Sequence, residues 1–371
     1  MAILRLEHVW KRYGIAEVVE AVKDVSLECA EGEFLSFLGP SGCGKTSTLR
    51  MIAGLEKISD GKIYIQDRMV NHLKPGERNI AMAFENYALY PPLTVYENIA
   101  FPLRAQKLSA AEIKKRILWI AELFQIEDIL TVKPRALSGG QQQRISLARA
   151  LVKDAVIHLM DEPISHLDAD MRRRMRGELK RLHQTKGMTV VYVTHDQLEA
   201  MSMADRIAVM NNGIIRQLGT PTEIFNHPQD EFVASFIGSP PMNFLDCRLN
   251  VKKGKYGIEL EGFTYFIPDQ GGKAIEATGN LKDGVVRLGV RPEDVSLSPP
   301  KGNKALWGNV IITEPVGESI IYRIGLGEKL ELLAEIPSEA AISSESEKVE
   351  VTFDLERLHF FHPETGKALY T

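Results

Sequence analysis

Gly39-Pro40-Ser41-Gly42-Cys43-Gly44-Lys45-Thr46 follows a compact apolar run at 33–38 and precedes a segment, 46–54, with helical spacing. The pattern G-x-x-x-x-G-K-[ST] between a strand and a helix has a direct physical meaning. Glycines let the backbone curl so that successive N–H groups face inward, and the helix start adds the positive end of its dipole. The result is a cradle for phosphates. Lys45 places a point charge on β- and γ-phosphates, the Thr46 hydroxyl reaches a Mg²⁺ ion, and Ser47 completes the turn. Cys43 contributes its backbone more than its sulfur. An ordinary glycine-rich turn is the bland alternative, and the strand and helix flanks argue against it.

Two further apolar runs, 155–160 and 189–194, end at Asp161 and His195. Short runs of this kind read as buried parallel strands. Their alternation with helical segments implies a covered, mostly parallel sheet, in which ligands gather at the carboxyl ends of strands. Asp161 is then placed to hold Mg²⁺. Glu162 is placed to orient or deprotonate an attacking water, and His195 to contact the γ-phosphate. Taken singly, an acidic pair after a strand is often a helix cap and a lone histidine is often structural. Three such residues beside a phosphate cradle outweigh that reading.

Elsewhere, 3–10, 21–29 and 62–70 read as strands. The segment 80–102 mixes aromatics and prolines and cannot be helical throughout. Helices are expected over 109–130, with Ser109 as N-cap, and over 139–153. After about residue 236 the pattern changes to short alternating runs, GIELEGFTYFIP (257–268), VVRLGVRPEDVSL (285–297), IIYRIGLG (320–327) and VEVTFDLERLHFF (349–361). These predict a small β-barrel or sandwich. The expected division is 1–237 and 238–371, in keeping with a chain of 371 residues.

The 45 Lys+Arg against 49 Asp+Glu leave a net charge of −4, so no basic field exists for coating nucleic acid. The basic run Arg172-Arg173-Arg174 with Arg176 is expected to be a solvated helix face. Cys29, Cys43 and Cys247 are too sparse for a disulfide framework or a zinc site and fit a reducing compartment. The charged N-terminus is not a secretory signal, and no apolar stretch approaches the ~18 residues of a membrane span. A soluble protein is expected, free to dock on a membrane protein.

Leu137-Ser138-Gly139-Gly140-Gln141-Gln142-Gln143-Arg144 opens a predicted helix after Lys45 and before Asp161. Its serine and first N–H groups form a second anion site. In that order the motifs resemble the ATP-binding cassette (ABC) ATPases. Tyr13 matches the aromatic that stacks on adenine in that family, Ser165-His166-Leu167-Asp168 the loop after the catalytic glutamate, and Thr194-His195-Asp196 the switch histidine. GTPTEIFNHPQDEFVASFIGSPPMNFL (219–245) and GVRPEDV (289–295) look like the carbohydrate-importer branch, the maltose and glycerol-phosphate types.

The resemblance implies an α/β P-loop NTPase, an ABC-type nucleotide-binding domain with a helical subdomain at about 86–153, followed by a C-terminal all-β OB-like barrel regulatory domain. It implies ATP and Mg²⁺ as cofactors. It implies head-to-tail pairing with a second ATPase subunit, in which Ser138, Gly139, Gly140 and Gln141 of one chain grip the nucleotide held by the other's Lys45, with Asp168 nearby. Further implied partners are two membrane-spanning permease subunits and, indirectly, an extracytoplasmic solute-binding protein, with no nucleic acid. The location implied is peripheral, on the cytoplasmic face of the inner membrane. By the same resemblance the aromatic segment 86–96 forms a groove for a short helix of a membrane subunit.

Two positions depart from the family pattern. Phe84-Glu85-Asn86 replaces a usual Phe-Gln-Asn. Ionised Glu85 still ligates Mg²⁺, but it cannot donate a hydrogen bond and adds a negative charge. Either the substitution is tolerated in a homodimer, or the chain pairs with a different ATPase as a catalytically weak member of a heterodimer. His166 replaces a usual asparagine, with little effect expected. A soluble ABC protein acting on nucleic acid or ribosomes is the remaining alternative, and the absence of sustained heptads between the cradle and Leu137 argues against the coiled-coil types.

Overall fold

A computed structural model describes residues 2–14, 17–252, 255–269, 272–273, 275, 284–299, 306–327, 330–342 and 348–370. The chain divides into two compact units, Met1–Pro221 and Thr222–Thr371, so the division expected at 238 falls inside the second unit.

The first unit contains, in order, β1 (Ala2–Tyr13), β2 (Val19–Ala30), β3 (Phe34–Leu38), α1 (Lys45–Ala53), β4 (Asp60–Ile65), β5 (Arg68–Met69), β6 (Ile80–Ala83), α2 (Val95–Ala105), α3 (Ala110–Phe124), α4 (Gly139–Leu151), β7 (Ile157–Asp161), α5 (Ala169–Lys186), β8 (Val190–Thr194), α6 (Gln197–Met203), β9 (Arg206–Asn211) and β10 (Ile214–Gly219). The largely apolar runs β3, β7 and β8 are buried at every position, including the polar Ser36, His158 and Asp161. They lie inside a sheet ordered β10-β9-β3-β8-β7-β6. All neighbours in it are parallel except β9 and β10. A second, antiparallel sheet, β2-β1-β4-β5, shares one core with it, through Leu4, Val9, Val25 and Ile63 on one side and Leu35, Phe37, Val191 and Val193 on the other.

Three local expectations are corrected. The strand expected over 62–70 is a hairpin, because Gln66 and Asp67 take φ values of 49° and 57° and turn the chain between β4 and β5. The helix expected over 109–130 is capped by Ser109 as read, but ends at Phe124, where Gln125 turns left-handed at φ 51°. Arg144, distant in sequence, donates to the Phe124 and Gln125 carbonyls that the stop exposes. Third, Arg172 is not part of a solvated face: it donates to the Ser165 and Leu167 carbonyls. Only Arg173 and Arg174 of that run are exposed.

The second unit holds α7 (Pro221–Asn226), α8 (Glu231–Phe236), β11 (Asn243–Lys252), β12 (Lys255–Leu260), β13 (Phe263–Phe266), β14 (Val285–Val290), β15 (Val295–Ser298), β16 (Leu306–Pro315), β17 (Ser319–Leu326), β18 (Leu330–Pro337), β19 (Lys348–Phe353), β20 (His359–Phe361) and β21 (Ala368–Tyr370). The strands form two antiparallel sheets, β13-β12-β11-β14-β20-β21 and β15-β19-β16-β17-β18. Both contribute to one core, which includes Leu245, Ile258, Leu288, Ile324, Val351 and Phe360. Side chains tie the sheets together: Asn243 exchanges two hydrogen bonds with the Leu333 backbone, and the Tyr265 hydroxyl donates to the Val351 carbonyl. From β11 onward this is the barrel-like, β-stranded region read from the sequence, with α7 and α8 preceding it in the same unit.

Candidate functional site

Strand register builds the site. Leu38 lies beside Thr194, Asp161 beside Val193, and Ala83 beside Met160. The residues that follow each strand, Gly39–Thr46, Glu162, His195 and Glu85, therefore emerge along one sheet edge.

The cradle is held by its glycines. Gly42 and Gly44 have φ values of 80° and 107°, and a Cβ on Gly44 would sit 2.4 Å from the Ala21 carbonyl oxygen. Gly44 is the N-cap of α1 and supplies no side-chain cap. Ser41 stands exposed at the tip, between Pro40 and Gly42. Lys45 is buried, and its ammonium donates to the Gly39 and Pro40 carbonyls at 2.8 and 2.9 Å. Cys43 is buried with its Sγ 3.9 Å from that ammonium. Burial raises its pKa while Lys45 opposes the rise, so the thiol is a packing group. Tyr13 is exposed, its hydroxyl 3.4 Å from Ser47 Oγ and its ring 4.6 Å from the Lys11 ammonium.

The acids lie next to the cradle. Thr46 Oγ1 donates to Asp161 Oδ1 at 3.0 Å. Burial raises the Asp161 pKa; the Thr46 hydrogen bond and Arg50 lower it, and the charges of Glu85 and Glu162 raise it further. Thr46 and Asp161 are hard oxygen donors, and a desolvated carboxylate gains from a nearby cation. The set fits Mg²⁺, which binds through one or two carboxylates together with phosphate oxygens and water. Glu85 is exposed and lines a cavity of about 320 Å³ with Asp161, Arg50 and Glu56. A basic neighbour, Arg50, thus shares the space with the extra charge.

Glu162 Oε1 is 3.0 Å from His195 Nδ1. Glu162 sits at φ 45°, a left-handed conformation that costs a non-glycine residue of order 1–3 kcal/mol. Its N–H donates to the Val193 carbonyl at 3.0 Å. Strained backbone of this kind concentrates at functional sites. Behind His195, the buried Glu199 carboxylate accepts from the Tyr192 and Thr194 hydroxyls, both at 2.8 Å, and fixes the strand end.

Other expected site residues lie apart. Ser138 is the N-cap of α4, in a reciprocal capping box: Gln141 N–H donates to Ser138 Oγ at 3.3 Å and Ser138 N–H to Gln141 Oε1 at 2.9 Å. Gly139 and Gly140 form its first turn, and a Cβ on Gly139 would meet only the Tyr87 hydroxyl at 3.2 Å. Among the described residues, none of Ser138–Gln141 is bonded to the cradle of the same chain. Asp168 caps α5 by accepting from the Met171 N–H at 2.9 Å.

Sequence reasoning missed Gln143, Arg149, Arg172 and Glu199, all buried or half-buried supports of these loops. Only an S/T-x-x-E-type pattern, as at Thr94–Glu97 capping α2, has a local signal of that sort. Of the aromatic segment 86–96, Ala88 and Tyr90 line a groove of about 770 Å³ with Phe84, Phe101 and Pro102, whereas Val95 is core.

A glycine cradle at a helix start after β3, with an acid at the end of β7 bonded to the cradle threonine, defines a P-loop nucleotide hydrolase. The "ABC transporter" family matches residues 22–165, a "MalK OB fold domain" 238–295, and a "TOBE domain" 288–361. The chain is 45% identical to the trehalose/maltose import ATP-binding protein MalK of Thermococcus litoralis, over 100% of both chains. It is 44% identical to the oligosaccharides import ATP-binding protein MsmX of Bacillus subtilis, over 98% of this chain and 99% of that one. It is 42% identical to the sn-glycerol-3-phosphate import ATP-binding protein UgpC of Cupriavidus necator, over 100% of both. Among solved structures, the dimeric ATP-binding cassette MJ0796 in a post-hydrolysis state with ADP and Pi matches with a TM-score of 0.56 and 35% identity. That match covers 59% of this chain and 98% of the other. The chain belongs to the ATP-binding subunits of ABC transporters, and it is an ATPase.

Proposed function

We propose that this subunit hydrolyses ATP to drive uptake of a sugar, polyol or glycerol-phosphate-type solute, as the names of its full-length relatives suggest. The observation that carries the chemistry is the pairing of Glu162 with His195 at 3.0 Å, at the same sheet edge as Lys45 and the Thr46–Asp161 pair. ATP lies with its adenine against Tyr13 and its phosphates in the Gly39–Ser47 cradle. Thr46, Asp161 and Glu85 are the residues that would hold Mg²⁺, which would supply neutralisation of the phosphate charge there. Glu162 takes the proton of the attacking water, and the bond from the γ-phosphorus to the ADP oxygen breaks. His195 orients Glu162 and meets the γ-phosphate.

The second half of the anion site, Ser138–Gln141, makes no hydrogen bond to the chain's own cradle among the described residues, which favours a composite site completed by a second ATPase subunit. Two membrane-spanning permeases, loaded by an extracytoplasmic binding protein, receive the closure. The apolar groove around Tyr90 and Phe101, both exposed, is their docking surface. No helix among the described residues is long and apolar enough to cross a membrane, which fits peripheral attachment at the cytoplasmic face.

A second reading rests on Glu85, a carboxylate where the family usually has glutamine, lining the same cavity as Asp161. It makes this chain the weaker member of a heterodimer. One ATPase assay covers both readings. Glu162→Gln is expected to bind ATP yet lose about 10²-fold or more in kcat; unchanged hydrolysis rejects the Glu162 assignment. Robust turnover by the wild-type homodimer, unimproved by Glu85→Gln, removes the heterodimer reading.

A further inference from the structure

Four consecutive side chains on α4 each hold a different segment. Gln141 closes the cap on Ser138. Gln142 donates to the Pro134 and Leu137 carbonyls. Arg144 holds the end of α3. Gln143 reaches the loop that carries Glu162.

Gln143 is buried, and its amide is fully used. Nε2 donates to the Glu162 carbonyl at 3.1 Å and to Ser165 Oγ at 3.4 Å. Oε1 accepts from the His166 N–H at 3.0 Å. Ser165 Oγ also donates to the Glu162 carbonyl, at 3.0 Å. The peptide that follows the left-handed Glu162 is therefore clamped through its oxygen by Gln143 and Ser165, while the Glu162 N–H is tied to β8. From the far side of the loop, Arg172 holds the Ser165 and Leu167 carbonyls. Only a planar group with donor and acceptor at one end can span this gap. A glutamate of the same length keeps the acceptor but has no N–H to give.

The same helix touches the Glu85 loop. Arg149 donates to the Tyr87 and Ala88 carbonyls at 3.0 and 2.8 Å, and both residues have positive φ. One rigid element thus begins at Ser138 and supports the two loops that bear Glu162 and Glu85.

We propose that Gln143 is a positioning residue for hydrolysis. It fixes the backbone of Glu162 and makes that geometry depend on where α4 sits. Taken with the composite-site reading, on which this rests, the helix that grips the partner's nucleotide at Ser138 also aims the acid over its own chain's nucleotide. The two sites are then mechanically linked through α4.

The test uses the purified full-length chain with Mg·ATP and compares Gln143→Met, Gln143→Glu and Glu162→Gln. Gln143→Glu keeps the acceptor for the His166 N–H, loses the donated bonds and adds a buried negative charge, whereas Gln143→Met loses all the bonds without adding charge. The kcat loss shared by the two is the one assigned to the donated bonds, and a thermal melt of each variant checks that it folds. Both are expected to lower kcat by roughly 10- to 100-fold, the scale set by a misplaced reacting group. ATP affinity and KM stay within about two-fold, because the bonds in question do not touch the cradle. In a Glu162→Gln background the same substitutions lower the residual rate no further, since the group they aim is already gone. Wild-type kcat in Gln143→Glu overturns the proposal. So does an equal fractional loss in both backgrounds, or a loss carried by KM alone. If Glu162→Gln itself keeps the wild-type rate, the assignment of Glu162 falls and this proposal with it. Inactive Glu162→Gln beside fully active Gln143 variants removes the proposal alone.

Discussion

Helices α1 and α4 both begin at glycine-rich turns, yet their first turns are satisfied differently. At α1 the cap is Gly44, left-handed at φ 107° and without a side chain, so the first N–H groups are kept for an anion and Lys45 waits beside them. At α4 the cap is Ser138, and its hydroxyl and the Gln141 amide already close a capping box on the helix's own N–H groups. A phosphate at α1 meets no side-chain cap, although it draws Lys45 from the Gly39 and Pro40 carbonyls, whereas one at α4 has to compete with a cap worth about 1 kcal/mol. On the proposed composite site, the first turn is predicted to bind nucleotide without the partner, and the second to engage it only when two chains close on ATP.

The two glycine turns differ in the same sense, and the largest expected effect tests that. Gly44→Ala forces a Cβ to 2.4 Å from a backbone oxygen at a φ that L side chains rarely adopt. Nucleotide affinity is expected to fall about 100-fold or more, with a lowered Tm, measured by titration with a fluorescent ATP analogue and by thermal melting. Gly139→Ala meets only a rotatable tyrosine hydroxyl at 3.2 Å. It is expected to fold and bind nucleotide normally while hydrolysis drops roughly ten-fold, since the loss there is confined to one conditional contact. If both variants lose nucleotide binding equally, the contrast between the helices is broken.

Ser138→Ala gives a smaller effect. It removes the cap, costs about 1 kcal/mol and lowers Tm by a few degrees. Hydrolysis is only moderately reduced because the Gly139 and Gly140 N–H groups remain. A Tm unchanged by this substitution means that the capping box does not compete with the phosphate.

The contrast also explains what the sequence made legible. The cradle announces itself because its requirements are local: glycines at φ that only glycine takes easily, then a lysine and a hydroxyl. The parallel strands were readable for a similar reason, since 155–160 and 189–194 are mostly apolar runs whose strands, β7 and β8, are buried at every position. The hairpin at Gln66-Asp67 was missed because neither residue is the glycine or asparagine that usually marks such a turn. The end of α3 was missed because its stop is held by Arg144 on another helix, not by a terminal glycine. Gln143 and Glu199 escaped for the same reason. Their partners are backbone and hydroxyl groups whose proximity exists only once α4, β7, β8 and α6 have packed.

The central claim is that each nucleotide is gripped by the cradle of one chain and the Ser138 turn of another. Co-expressing a Lys45→Ala chain with a Ser138→Arg chain, and assaying ATP hydrolysis of the mixture against each variant alone, tests it most directly. Each variant alone has no complete site. In the mixed dimer the intact Lys45 of one chain meets the intact Ser138 turn of the other, and hydrolysis is predicted to return. A mixture as inactive as its parents, with mixed dimers present, contradicts the account.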